Sequence, residues 1–467
     1  MCRRFRRRGG IWTGWSENRL HRRGRWNDKE GQEGLRAAGC MTNIAYVIPE
    51  WPGQTHIWMW REIVNLRAWG VEITIFSTRR PAEKIRARHA FAKEAEAETI
   101  YLTPLSAPKV AGAMAWALAR HPIGLARAIW LGMTLPVNKR PAIKTVLPLI
   151  IPAALLARDC ARRGIGRLHS NTASNSAILC MMVKRILGIP WSMTLNANIE
   201  WWGGAMGEKF ADADFTNTHA AWLLGQIRAQ YPNLRPEQSL LARTGVDTSY
   251  WKPDPTAPMS LSGARHRLNL MTVGRLHASK GHDVLLRAVK ILADQGVDVG
   301  LRIAGGGDEE QALKALASEL RIENRVTLLG SLPEDRVMQE LRSADLFVMG
   351  SLAEPLGVVA MEAMALGIAP IGTAAGGLGE IIDDGENGLL VPPGDPAALA
   401  AAVATLAGDE PRRRSLAAAA RRKIVETFDS RDGAAQLYMR FFGESPAGYS
   451  PTHPAAAIES ATKIHAA

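Results

Sequence analysis

The chain lacks most of what would confine it to a special class. Only four cysteines occur in 467 residues, and Cys2, Cys40, Cys160 and Cys180 follow no framework spacing. That argues against a disulfide-stapled scaffold and fits a reducing, cytoplasmic setting. Long apolar runs are lacking too. The densest, TVLPLIIPAALLA at Thr145–Ala157, holds two prolines and falls short of the ~20 residues that a membrane-spanning helix needs. No apolar segment of useful length follows the N-terminal arginines, so they do not begin a secretory signal. No Gly-x-Gly-x-x-Gly follows the first strand-like run at Tyr46–Pro49, which excludes the fingerprint of a nicotinamide-dependent dehydrogenase.

What is present is a globular composition, 47% apolar and 22% charged, with the length of two domains. The net charge of +12 looks at first like a nucleic-acid signal. Its distribution argues otherwise. Residues 1–40 hold 11 basic and 4 acidic side chains, residues 41–262 hold 25 and 15, and residues 263–467 hold 21 and 26. A basic half is thus joined to an acidic half. Residues 1–40 show no periodic apolar face, so they read as a disordered basic leader, with the working protein beginning near Met41. No nucleic-acid-binding module is recognisable, and no nucleic-acid partner is expected.

Strand-like runs alternate with helical ones. One series comprises residues 43–49, 71–77, 166–170, 191–195 and 214–218; a second comprises 268–276, 299–307, 325–330, 345–350 and 367–373. Such alternation predicts an α/β protein of two doubly wound, Rossmann-like domains with parallel sheets. The expected division is 41–255 for the first domain and 256–427 for the second. A helix over 428–443 would follow, then a disordered tail over 444–467. Ligands of open parallel sheets bind outside the carboxyl ends of the strands. In the second series those positions are rich in glycine, which would let a ligand approach the main chain closely.

Two stretches carry chemistry. In GRLHASKGHDVLL, Arg275 and Lys280 flank a strand-to-helix loop, where a guanidinium fork and an ammonium suit a diphosphate. In EPLGVVAMEAMALG, Glu354 lies in a loop after a strand, Gly357 opens a helix, and Glu362 falls in its first two turns. A helix N-terminus attracts phosphate, and carboxylates beside it can accept hydrogen bonds from ribose and sugar hydroxyls. A glycosidase would need two carboxyls facing each other across one bond, whereas a helix end lies between these two.

Over roughly residues 268–405, these stretches together with LRIAGGGDEEQAL, VTLLGSLPEDRV and IGTAAGGLGEIIDDGENGLLVPPGDP resemble the donor half of the retaining glycosyltransferases of family 4, the group 1 transferases. The segment IPEWPGQTHIWMWREIVNLRAWGVEITIFS resembles the N-terminal motif of exopolysaccharide- and colanic-acid-type members. The resemblance implies a GT-B architecture, two Rossmann-like domains facing across a cleft. It implies transfer of a sugar from a UDP- or GDP-linked donor to a glycan or polyprenyl-linked acceptor in envelope or exopolysaccharide assembly. Carried over, Arg275 and Lys280 hold the diphosphate, Glu354 the donor sugar and Glu362 the ribose. The amides near Leu356, Gly357 and Val358 meet phosphate and sugar. Gly274, Gly305, Gly306, Leu329 and Gly330 border the nucleoside, and Gly53 faces the donor from the first domain. Asn196 in TLNA stands where relatives commonly have a histidine facing the reaction centre, and Pro355 where a glycine is common. A catalytically weak sugar-nucleotide-binding regulator is the alternative. No metal or other cofactor is expected, because DAD at Asp212–Asp214 leads into a strand instead of ending one and the cations replace the ion.

The basic first half also favours an anionic membrane surface, with the protein peripheral on the inner face of the plasma membrane. Trp58, Trp60, Trp69 and the run Val146–Leu156 are the candidate inserting residues. His169 reads as a core histidine.

Overall fold

The computed structural model describes residues 43–83, 86–138, 141–254 and 267–451. The basic leader, Met41 and residues 255–266 of the expected boundary lie outside them. The first sheet holds β1 (Asn43–Glu50), β2 (Glu72–Arg79), β3 (Ile100–Tyr101), β4 (Arg167–Ser170), β5 (Trp191–Leu195), β6 (Thr216–Thr218) and β7 (Ser239–Leu241). The second holds β8 (Leu268–Val273), β9 (Val299–Ala304), β10 (Val326–Gly330), β11 (Leu346–Val348), β12 (Ala369–Thr373) and β13 (Leu389–Val391). The orders are β3-β2-β1-β4-β5-β6-β7 and β10-β9-β8-β11-β12-β13, with every strand pair parallel. Strand order reverses between β1 and β4 and again between β8 and β11. Those two crevices are where open α/β sheets take ligands.

Helices cover both faces of each sheet because their apolar residues recur at helical spacing. The His282–Asp294 helix buries Val284, Leu285, Leu286, Ala288, Val289 and Leu292. The Pro396–Ala407 helix starts where the Asp395 carboxylate accepts the amides of Ala397 and Ala398, with Pro396 in the first turn. The Glu410–Thr427 helix lies against the second domain, and the Ser430–Phe442 helix returns to the first. There Leu437, Phe441 and Phe442 join Ile44, Tyr46 and Met59 in one core. Its start is tied to the first domain by the Asp429 carboxylate, which accepts from the Thr248 amide.

Three expectations change. The stretch after Gly443 is not wholly loose: Tyr449 donates to Asp432 at 2.7 Å and packs edge-on against Trp69. Residues 452–467 lie outside the described residues. The run Val146–Leu156 is no inserting surface, because Val146, Ile150 and Leu156 are buried in the first domain. The tryptophans are engaged too, Trp60 buried and Trp58 and Trp69 half-buried. Trp58 packs edge-on against His219, Trp60 stacks on Phe91, and Trp69 meets Tyr438.

Buried titratable groups set an acid-side stability limit. His169 sits fully buried between the Ser192 and Thr194 hydroxyls, as expected of a core histidine, and burial pushes its pKa down to about 3. His219 is held down to about 4 by burial, while Nδ1 meets the Ala242 carbonyl. Both pKa values fall on folding, so their stabilisation is complete above the unfolded value near ~6.5 and is lost as pH drops, at up to about 1.4 kcal/mol per histidine per pH unit. Glu62, buried against the Tyr46 hydroxyl and raised to about 7 chiefly by burial, has the opposite slope between the ordinary carboxyl range and neutrality. The difference between wild type and His219→Gln therefore isolates the histidine. The variant should show a shallower fall of thermal midpoint between pH 6.5 and 4; parallel curves would refute the assignment.

Candidate active site between the two sheet edges

The carboxyl ends of the two sheets face each other. Gln54, after β1, donates from Nε2 to the Leu332 carbonyl after β10 at 2.9 Å. Trp222 donates from Nε1 to the Pro355 carbonyl at 2.9 Å. The Glu380 carboxylate accepts the amides of Ala221 and Trp222 at 2.9 and 2.7 Å, capping the Ala221–Gln230 helix from the other domain.

On the second sheet, the β8 and β11 loops meet at the switch point and bring four expected residues together. Lys280 Nζ lies 2.6 Å from Glu354 Oε2, which Ser351 Oγ also approaches at 3.3 Å. Arg275 is exposed, and its guanidinium has no ion-pair partner among the described residues. Its main chain is held by His282 Nε2 on the Arg275 carbonyl at 3.1 Å. Its charge is felt across the cleft, where burial first and Arg275 second hold His56 down to about 4. Gly357 takes φ +93° as the cap of the Val358–Ala365 helix, beside buried Leu356. The amides of Gly357 and Val358 open that helix with no backbone acceptor among the described residues.

Glu362, one turn on, is buried and already engaged. Its Oε1 accepts from Arg61 at 2.6 Å, and Arg61 also reaches Glu334 at 2.7 Å. Burial raises the Glu362 pKa above the ordinary carboxylate range, and Arg61 opposes that rise. Trp251 completes the box, donating to Glu334 and lying 5.8 Å beneath the guanidinium. Sequence reasoning missed Arg61. It sits on the Ile57–Ala68 helix, 301 positions from its partner, and reads there as an ordinary helical cation.

Several glycines of these loops let one loop lie on the next. A Cβ on Gly305 would fall 1.8 Å from the Gly274 carbonyl oxygen, and one on Gly377 would fall 2.3 Å from that of Pro355. Gly305 also donates to the Gly330 carbonyl, and Leu276 to that of Gly306, so the β8, β9 and β10 loops form one interlocked shelf. Leu329 and Gly330 lie on its edge. Gly53 lies just after β1, beside the bridging Gln54, and is buried with its amide spent on His56 Nδ1 at 3.0 Å. Asn196 follows β5 at the same edge of the first sheet and is half-buried. Asp212 and Asp214 lie at the opposite edge, paired with Arg185 and Arg167.

Residues 265–423 match the family model of the glycosyl transferases group 1. The C-terminal domain is a group 1 glycosyltransferase domain. The chain is 32% identical over 209 residues to the putative colanic acid biosynthesis glycosyltransferase WcaL of Salmonella typhimurium, covering 43% of this chain and 50% of that protein. It is 33% identical over 186 residues to the amylovoran biosynthesis glycosyltransferase AmsK of Erwinia amylovora, covering 38% and 46%. The chain thus spans about half the length of the curated relatives it matches. Among solved structures, Anabaena HepE in complex with UDP-glucose superposes with a TM-score of 0.66 at 18% identity, covering 86% of this chain and 100% of that one. The sucrose-phosphate synthase of Thermosynechococcus elongatus gives 0.65 at 20%, covering 86% and 99%. At these identities the likeness is one of fold, and the fold is the two-domain GT-B architecture.

Proposed function

We propose that this group 1 domain and the domain facing it transfer a sugar, with retention, from a nucleoside-diphosphate sugar to a glycan or polyprenyl-linked acceptor in exopolysaccharide or envelope assembly. The observation that carries this reading is the gathering of Arg275, Lys280, Glu354 and the start of the Val358–Ala365 helix at the β8/β11 switch point. HepE, which shares the fold, is described in complex with UDP-glucose, and WcaL and AmsK are named for exopolysaccharides.

In this reading the diphosphate lies on the helix start between Arg275 and Lys280. The Lys280 ammonium has three N–H donors, so it can keep Glu354 and hold a phosphate oxygen together. Glu354 then receives donor-sugar hydroxyls, and Glu362 receives the ribose. The acceptor oxygen forms its bond to the anomeric carbon on the face from which the phosphate oxygen departs. The acceptor proton passes to that leaving oxygen, whose negative charge the two cations and the helix end stabilise. The shelf carrying Gly274, Gly305, Gly306, Leu329 and Gly330 borders the nucleoside. Asn196, placed across the cleft, would contact donor or acceptor as a neutral donor and acceptor of hydrogen bonds.

A panel of UDP- and GDP-sugars, assayed for nucleotide release with and without glycan acceptors, tests the proposal. One donor should be turned over, and turnover should survive EDTA because the cations and helix end do the work of an ion. Loss with EDTA restored by Mg²⁺ or Mn²⁺ would overturn the metal-free part. Tight nucleotide-sugar binding without transfer or hydrolysis would favour a regulator instead.

A further inference from the structure

The Pro122–Thr134 helix is apolar on both faces, yet only one face is covered. Gly124, Leu125, Ala128 and Gly132 are buried, and a Cβ on Gly124 would collide with the Arg185 carbonyl of the helix beneath. The opposite face, at helical spacing, presents Ile123, Trp130 and Met133, exposed by 69%, 65% and 42%. Leu118 across the turn and Ile143 on the next segment are exposed by 64% and 53% and extend the patch. A surface helix normally turns a polar face to water; here Arg127 is the one charged side chain on the exposed face, and a largely apolar helix with one bare side implies a further partner.

The surrounding charge says which kind. Between Glu98 and Asp159 the chain has no acidic side chain and seven Lys or Arg. Arg120, Arg127 and Lys144 are exposed beside the apolar residues. Such a rim repels a second copy of itself and attracts an anionic surface. An exposed tryptophan with aliphatic neighbours inside a basic, acid-free border has the chemistry of an interfacial helix. The patch also leads toward the cleft. Just beyond the helix, Val137 bridges Gly204 and the Asn138 amide donates to the Gly203 carbonyl, joining it to the loop that follows β5 and Asn196.

We infer that the Pro122–Thr134 helix, with Leu118 and Ile143, docks the protein on an anionic lipid bilayer, with the aromatic and aliphatic side chains in the interface and the basic rim on lipid headgroups. This surface replaces Trp60, which is buried, Trp58 and Trp69, which are half-buried against His219 and Tyr438, and Val146–Leu156, most of which packs in the first domain. It would set the cleft edge near the Asn196 loop close to the membrane, where a lipid-linked acceptor would lie. Binding requires no transferase activity, so it can fail while the proposed reaction stands, and the reverse.

The full chain is sedimented with vesicles containing about one-third phosphatidylglycerol and with vesicles of phosphatidylcholine alone, at low and high salt. Wild type should pellet with the anionic vesicles only and release as salt rises. Ile123→Ser with Trp130→Ser, and separately Arg120→Glu with Arg127→Glu, should each weaken partitioning at least ~10-fold with unchanged thermal midpoints. Wild type remaining in the supernatant at low salt overturns the inference, as does undiminished binding by both double variants. Light scattering is run alongside, and a dimer that Trp130→Ser dissociates, with no vesicle binding, would make the occupant a second copy and overturn it too.

Discussion

Alanine at Arg275, Lys280 or Glu354 is expected to lower turnover at least ~10²-fold each, the scale of losing one preorganised charge contact to a developing anion. The three differ in what they leave behind. Arg275 is exposed and unpaired among the described residues, so its removal strands no buried charge, and stability should hardly change. Its loss should fall on kcat more than on KM, because leaving-group charge grows toward the transition state. Removing Glu354 frees Lys280 from its 2.6 Å partner and should cost donor-sugar discrimination as well as rate. Removing Lys280 leaves the largely buried Glu354 without its cation, so this variant should lose some stability too. Near-normal transfer by the Arg275/Lys280 double variant would sink the phosphate assignment, because the β8 loop holds no other Lys or Arg.

The parts legible in the sequence were those governed by local pattern. Runs such as NIAYVIP and LNLMTV alternate with helical segments at a period that demands parallel sheets, and β1 and β8 fall where expected. The short edge strands β3, β7 and β13 escaped notice because two or three residues carry no periodicity. Glu354, Gly357 and Glu362 lie on one loop and one helix, so spacing alone placed them correctly. At Gly305 a glycine requirement has two possible physical causes, a nearby ligand or a nearby loop, which a string of letters does not separate; the structure adds the loop. The tryptophans misled for a related reason. Trp58, Trp60 and Trp69 crowd one segment and invite an interfacial reading, yet their partners His219, Phe91 and Tyr438 come from elsewhere in the chain. The exposed helix went unremarked because its apolar residues look like any core helix until its neighbours are known.

Arg61 is expected to be the variant that most clearly separates holding the fold from holding the donor. Its guanidinium joins the first domain to Glu334 and Glu362 of the second, and its NH1 is buried without a partner. Arg61→Ala removes the cation from a carboxylate that is almost wholly buried, so stability should fall by about 3–5 kcal/mol. It should also raise the donor KM at least ~10-fold, because Arg61 keeps Glu362 ionised and aimed, and an ionised carboxylate is the better acceptor for ribose hydroxyls. The pH profile carries the decisive sign. Burial raises the Glu362 pKa and Arg61 opposes the rise. Donor binding should therefore weaken as pH falls through the folded pKa of Glu362. Without Arg61 that pKa climbs further, so the acid limb of kcat/KM moves to higher pH. Arg61→Lys keeps the charge and should restore most of the limb's position while recovering only part of the stability, since an ammonium lacks the planar guanidinium that lies over the Trp251 ring. If Arg61→Ala destabilises the protein but leaves the donor KM and the acid limb where they were, Arg61 is only a tie between domains. Glu362 would then reach the ribose without its help.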